Sequence, residues 1–150
     1  PKMTRFIMTI SDAVKLVLNA SSQMRGHEIF VLKMPAVLLE NFIKAAIDVY
    51  APLYGKTPAD IKINITGARK GEKEHEFLLS DIEMEKTLET KDMYILIPIE
   101  NIRGLEYTKE YPKSEKITAK KRFSSQYAPK LTREEIVKLI KKTDADFAEK

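Results

Sequence analysis

Two short stretches carry side chains suited to gripping an anion. Arg5 stands between Thr4 and Phe6, and Arg69-Lys70-Gly71-Glu72-Lys73 follows an apolar–polar alternation that ends near Ile65. Arginine offers a planar fork that meets phosphate oxygens at two points. Gly71 lets the backbone turn tightly or approach a ligand closely, and Glu72 beside it can accept hydrogen bonds from a pair of sugar hydroxyls. Two arginines and one carboxylate make a sensible set for a nucleoside diphosphate: charge for the pyrophosphate, an acceptor for the ribose. Taken alone, a charged turn with one glycine is more often a surface loop.

The surrounding pattern says which elements would hold these residues. Met3 to Met8 reads as an extended segment leading into a helix, with Thr9 and Ser11 as candidate caps and Asp12 in the first turn. Ile10, Ala13, Val14, Val17 and Leu18 then share one helical face, and Arg25-Gly26 ends the helix. Glu28 to Leu32 is a short apolar strand. After Pro35 comes the clearest helix, with Leu39, Phe42, Ile43, Ala46, Ile47 and Tyr50 at helical spacing and Pro52 and Gly55 as its stop. Ile61, Ile63 and Ile65 alternate with Lys62 and Asn64, which predicts a half-buried strand feeding the charged loop. Thr87 to Asp92 and Met93 to Ile99 read as further extended pieces, 100–116 as irregular, and Ile117 to Ser125 as an edge strand. Thr132-Arg133-Glu134-Glu135 has the form of a capping box ahead of Ile136, Leu139 and Ile140. Helices and strands are mixed without strict βαβ alternation, so the class is α/β or α+β. At 150 residues, the chain forms one domain, 1–150.

Much chemistry is missing. The five glycines, Gly26, Gly55, Gly67, Gly71 and Gly104, make no dinucleotide fingerprint and no phosphate-cradling loop. There is no cysteine, no serine in a nucleophile elbow and no Tyr-x-x-x-Lys pair. His75, between Glu72 and Glu76, could open a metal site, but no second ligand pair accompanies it and it reads as a solvated helix turn. No metal, cofactor or catalytic residue is therefore assigned. The absence of cysteine fits a cytoplasmic chain, no apolar run is long enough to span a bilayer, and no signal peptide opens the sequence. A first residue other than Met suggests a piece of a longer protein. The net charge of +4 is concentrated in 101–150, with 13 basic and 8 acidic residues, around Lys116, Lys120, Lys121 and Arg122. Without interleaved aromatics this cluster reads as a lysine-studded strand edge, with a nucleic-acid surface as the poorer alternative.

Several motifs in order raise the value of the anion site. Lys2-Met3-Thr4-Arg5-Phe6, Gly26-His27-Glu28-Ile29-Phe30-Val31, Gly67 to Glu76, Glu89-Thr90 with Asp92-Met93-Tyr94, and Phe123-Ser124-Ser125 before Leu131-Thr132 run through nearly the whole chain. Together they resemble the C-terminal half of the UDP-N-acetylglucosamine 4,6-dehydratases and related capsular polysaccharide biosynthesis proteins, in the extended short-chain dehydrogenase group. The chain departs from that pattern at Lys70, where proline is usual, and at Glu74, where an apolar residue is common.

The resemblance implies a substrate-binding domain in which Arg5 and Arg69 hold the diphosphate of a UDP-sugar and Glu72 binds the ribose. It also implies a partner, an N-terminal dinucleotide-binding half in the same gene or a separate chain, which would carry NADP or NAD and the catalytic Tyr-x-x-x-Lys. The whole enzyme would perform an intramolecular redox dehydration of the sugar. A 4-epimerase, or a non-catalytic nucleotide-sugar-binding module, is the alternative. Without that half the domain should expose apolar surface and self-associate as a homo-oligomer.

Overall fold

The computed structural model describes residues 2–98, 104, 106–117 and 123–148. Strand β1 (Thr4–Phe6) runs directly into helix α1 (Ile10–Gln23). The start of α1 is fixed by Thr9, not Ser11: the Thr9 hydroxyl accepts the Asp12 N–H while the Asp12 carboxylate accepts the Thr9 N–H. Hydrogen bonds from Thr9 hold the Asp12 carboxyl below the usual aspartate range. After α1 come β2 (Ile29–Leu32), β3 (Ala36–Leu38) and α2 (Leu39–Tyr50). A 3-10 turn, Ala51–Tyr54, closes α2 on Gly55, whose φ of 66° is the left-handed conformation a helix end calls for. Next are α3 (Asp81–Met84), β4 (Thr87–Glu89), β5 (Met93–Leu96), α4 (Tyr107–Glu110), β6 (Glu115–Lys116) and α5 (Arg133–Ala148).

The strands form two separate sheets. β1 pairs antiparallel with β3, placing Arg5 opposite Val37. β2, β5, β4 and β6 make a four-stranded antiparallel sheet in that order. Alternate residues of β5 serve its two faces. Met93 and Ile95 join Leu88, Tyr107, Tyr111 and Leu16 of α1 on one side. Tyr94 joins Leu79, Met84 and Phe123 on the other. A third cluster, Val37, Ala45 and Ile136 with Phe42 and Ile140, locks α2 against α5 and both against the two-stranded sheet. Asp48 receives two hydrogen bonds from the Arg133 guanidinium, each 2.6 Å, at this helix pair. The chain is thus a mixed α/β fold with antiparallel sheets. No helix among the described residues is long and apolar enough to cross a membrane.

Four of the expectations need comment. Residues 61–66 form no strand, and Ile63 and Ile65 are exposed. Alternation makes a segment two-faced, but a strand also needs a neighbour for its N–H and C=O groups, and no described residue supplies one. The stretch read as irregular contains α4 and the short edge strand β6. The expected edge strand 117–125 is described only at its ends: Ser124 makes a single bridge to Phe77, and 118–122, with Lys120, Lys121 and Arg122, lie outside the described residues. On α1, Ile10, Val14, Val17 and Leu18 are all more than half exposed, while Leu16, on another side of the helix, meets the sheet.

The turn after α1 is closed by one carboxylate. Glu28 accepts the Arg25 and Gly26 N–H groups, each at 2.7 Å, and the Tyr111 hydroxyl at 2.7 Å. Tyr107 adds a hydrogen bond to the Gly26 carbonyl. Burial alone would raise the Glu28 carboxyl, but the bonds from Tyr111 and the backbone outweigh it and leave it below its ordinary range. Burial pushes the Tyr111 hydroxyl up, and the Glu28 acceptor adds to that. A carboxyl lowered on folding adds stability above its unfolded value, about 4.3, and loses it as pH falls through the lower folded value. Glu28→Gln is therefore expected to cost about 1–2 kcal/mol at pH 7, with the gap to wild type closing in acid. Denaturant midpoints measured at several pH values check this, and a pH-independent gap would refute it.

Candidate functional site

The charged loop begins with a turn in which the Glu72 N–H donates to the Arg69 carbonyl at 3.0 Å. Lys70 and Gly71 are the central residues, and Gly71 has a φ of 85°, which a turn of this kind reserves for glycine. Lys70 occupies the place where proline would preset φ, so the turn closes without that restraint. The Glu72 carboxylate then reaches back to accept the Arg69 N–H at 2.9 Å. Glu74 does not disturb packing, because its side chain is exposed and only its carbonyl turns inward.

Beyond the turn, the loop is wedged between β1 and the 123–125 segment. The Thr4 N–H donates to the Glu74 carbonyl at 3.0 Å, and the Phe6 N–H to the Glu76 carboxylate at 2.8 Å. On the other side, the Ser125 N–H donates to the Glu76 carbonyl and the Leu78 N–H to the Phe123 carbonyl, both at 2.8 Å. Three sequence motifs separated by as many as 121 residues thus meet at one place.

Arg5 lies inside this junction with its side chain 25% exposed. Its Nη1 donates to the carbonyls of Thr4 (2.8 Å) and Glu74 (3.3 Å). Its Nη2 and Nε face Glu72 and Glu76 at the longer distances of 3.5 and 3.7 Å. Glu72 therefore touches both candidate arginines, the guanidinium of Arg5 and the backbone of Arg69. The Arg69 side chain is exposed and has no hydrogen-bond or ion-pair partner among the described residues. From 69 to 76, Arg69, Lys70 and Lys73 balance Glu72, Glu74 and Glu76, which leaves the charge of Arg5 in excess. A loop of alternating signs around a fixed guanidinium can meet an anion and a polyol side by side.

His75 is not a solvated helix turn. It lies on a bend, is half-buried, and its Nδ1 is 2.8 Å from the Thr4 hydroxyl. The Thr4 hydroxyl is in turn 2.7 Å from that of Ser125, whose side chain is fully buried. Among the described residues no group of His, Asp and Glu is placed to hold a metal ion. Sequence reasoning missed Thr4, Glu76 and Ser125 as parts of this cluster. The signal was there in the Phe123-Ser124-Ser125 motif, but no local rule says which distant loop a buried serine will meet.

Two grooves lie apart from the candidate anion-binding residues. An apolar groove of about 520 Å³ runs along α2 and the 3-10 turn, between Phe42, Ile47, Tyr50, Tyr54 and Ile61. A second, of about 460 Å³, is walled by Ile7, Met8, Lys15, Lys33, Lys91 and Asp92, directly after Arg5 in the chain. Arg5, Arg69 and Glu72 line neither one. Charged side chains placed outside a groove bind by electrostatic contact more than by enclosure.

Residues 1–98 match the family described as "Polysaccharide biosynthesis protein". The chain is 41% identical over 141 residues to an uncharacterised membrane protein of Methanocaldococcus jannaschii, covering 94% of this chain and 39% of that one. It is 37% identical over 145 residues to a UDP-glucose 4-epimerase of Rickettsia bellii, covering 96% of this chain and 40% of the other. Among solved structures it resembles Pen from Bacillus thuringiensis, with a TM-score of 0.75 and 27% identity, over 95% of this chain and 39% of that one. The chain thus spans about two fifths of the length of these relatives.

Proposed function

Since this chain belongs to the polysaccharide biosynthesis protein family, we propose that it is the nucleotide-sugar-binding part of an enzyme of surface glycan biosynthesis, acting in the cytoplasm. The single observation that carries this reading is the convergence of β1, the 69–76 loop and the 123–125 segment around Arg5, Glu72 and the backbone of Arg69. Arg5 and Arg69 grip the diphosphate of a UDP-sugar, and Glu72, whose Oε2 takes the Arg69 N–H and whose Oε1 faces Arg5, accepts from the ribose hydroxyls through its remaining lone pairs. The chain's share of catalysis is remote binding energy: holding the nucleotide fixes where the sugar can lie.

The redox chemistry belongs elsewhere. The sequence holds no dinucleotide fingerprint, so the residues here do not fit NADP or NAD, and no step through either is assigned to them. A dinucleotide-binding half, in the same polypeptide or a separate chain, would carry that cofactor. The exposed apolar face of α1 and the unpaired 61–66 segment are surfaces of the kind such a half, or a second copy of this chain, would cover. The ordered motifs favour a UDP-N-acetylglucosamine 4,6-dehydratase, a lyase, as the whole enzyme. The Rickettsia relatives, named UDP-glucose 4-epimerases, favour a 4-epimerase. Both need the same grip on UDP.

Titration calorimetry of the full chain with UDP and with UDP-N-acetylglucosamine tests the reading. Saturable one-to-one binding of both, with UDP supplying most of the affinity, is expected. No heat at millimolar ligand would overturn a site preformed in these residues.

A further inference from the structure

We propose that His75 is the positioning residue of the nucleotide site: through Thr4 it clasps the 69–76 loop to β1 and Ser125, and so sets Glu72 and Arg69 against Arg5. This rests on the UDP-sugar reading above. It assigns a role to a group whose hydrogen bond goes to Thr4, outside the Arg5, Arg69 and Glu72 set.

The argument begins with burial. Thr4 is 2% exposed and Ser125 is 0% exposed, so their hydroxyls find partners in the protein. The Thr4 hydroxyl has two, His75 Nδ1 at 2.8 Å and Ser125 Oγ at 2.7 Å. Ser125 Oγ also accepts the Glu76 N–H at 2.9 Å and lies 3.2 Å from the Thr4 carbonyl. Two proton arrangements join the three side chains, and only the first also fills the 3.2 Å bond to the Thr4 carbonyl. In one, Ser125 donates to the Thr4 carbonyl, Thr4 donates to Ser125, and His75 donates to Thr4. In the other, Ser125 donates to the Thr4 hydroxyl, which donates to His75. Either way the imidazole closes the chain, and among the described residues no buried side-chain polar atom is left unpartnered.

Position in the loop gives the clasp its leverage. His75 sits between Glu74, whose carbonyl takes the Thr4 N–H and an Arg5 proton, and Glu76, whose carboxylate takes the Phe6 N–H. Pinning residue 75 holds both neighbours in register with β1. Glu72, three residues upstream, then meets Arg5 at 3.5 Å instead of swinging away on the Gly71 turn. Without the ring, the turn keeps its internal bonds but loses the tie that aims it.

Amide hydrogen exchange followed by NMR on the full chain, for wild type, His75→Ala and His75→Asn, tests the clasp. His75→Ala is expected to speed exchange at Thr4, Phe6 and Glu76, whose N–H groups bond across the clasp, about fivefold to tenfold, the loss of one partly buried hydrogen bond, with α2 amides unchanged. Asparagine, which can reach the Thr4 hydroxyl from a similar point, should restore most of the protection. UDP affinity should fall and recover in parallel. Unchanged exchange at Thr4, Phe6 and Glu76 in His75→Ala would overturn the proposal, and so would faster exchange spread equally through α2. An asparagine chain as loose as the alanine one would rule out Thr4 as the partner. A wild-type chain that binds no UDP would overturn the nucleotide reading instead, and the exchange data would still decide the clasp.

Discussion

Phe123→Ala is expected to destabilise the chain by about 3–5 kcal/mol, the usual cost of emptying a buried aromatic site. Phe123 is 1% exposed and packs edge-on against Tyr94, ring centroids 5.0 Å apart at 61°, with Leu79 and Met84 beside it. Its backbone carbonyl accepts the Leu78 N–H, and the next two residues carry the bridge to Phe77 and the Ser125 hydroxyl. The same side chain therefore fills one face of the four-stranded sheet and anchors the third wall of the charged site. A domain of this size has about 5–15 kcal/mol in total, so the loss would take a large share of it. Denaturant unfolding of the variant checks the figure. A cost under about 1 kcal/mol would mean the cavity collapses onto Tyr94 and that the 123–125 segment is held by its hydrogen bonds alone.

What the sequence made legible was mostly local. Thr132 with Glu135 reads as a capping box and closes as one, and Thr9, one of two candidate caps, takes the start of α1 together with Asp12. The stripe of α2 needed only its own twelve residues and the Pro52–Gly55 stop. Pairing across the chain was harder. β3 is three residues wedged between Pro35 and a strong helix, and only its partner β1 makes it a strand. Residues 61–65 show the reverse: the alternation is present and no described residue pairs with it. The apolar face of α1 has the correct period, but period does not say which apolar stripe meets the sheet, and Leu16 wins that contact. At the site, arginine and glutamate types pointed to Arg5, Arg69 and Glu72, and Glu72 does bridge the other two. His75 was misread because the hydroxyl it meets lies 71 residues away.

Arg69→Ala and Arg5→Ala should separate binding from folding. The Arg69 side chain is exposed and without a partner among the described residues, so its removal should leave stability within about 0.5 kcal/mol of wild type. If it grips a phosphate, losing that charge-assisted contact should weaken UDP binding roughly 10- to 100-fold. Arg5→Ala should weaken binding at least as much and also cost stability, about 1–3 kcal/mol. That substitution takes a donor from the Thr4 and Glu74 carbonyls and leaves Glu72 and Glu76 facing one another with no cation between them. The repulsion adds to the lost hydrogen bonds, and added salt should recover part of it. Calorimetric titration with UDP beside thermal unfolding distinguishes the two. An Arg69→Ala chain that binds UDP like wild type would remove the loop from the site and leave Arg5 with a structural role alone: a cation that holds two acidic turns together.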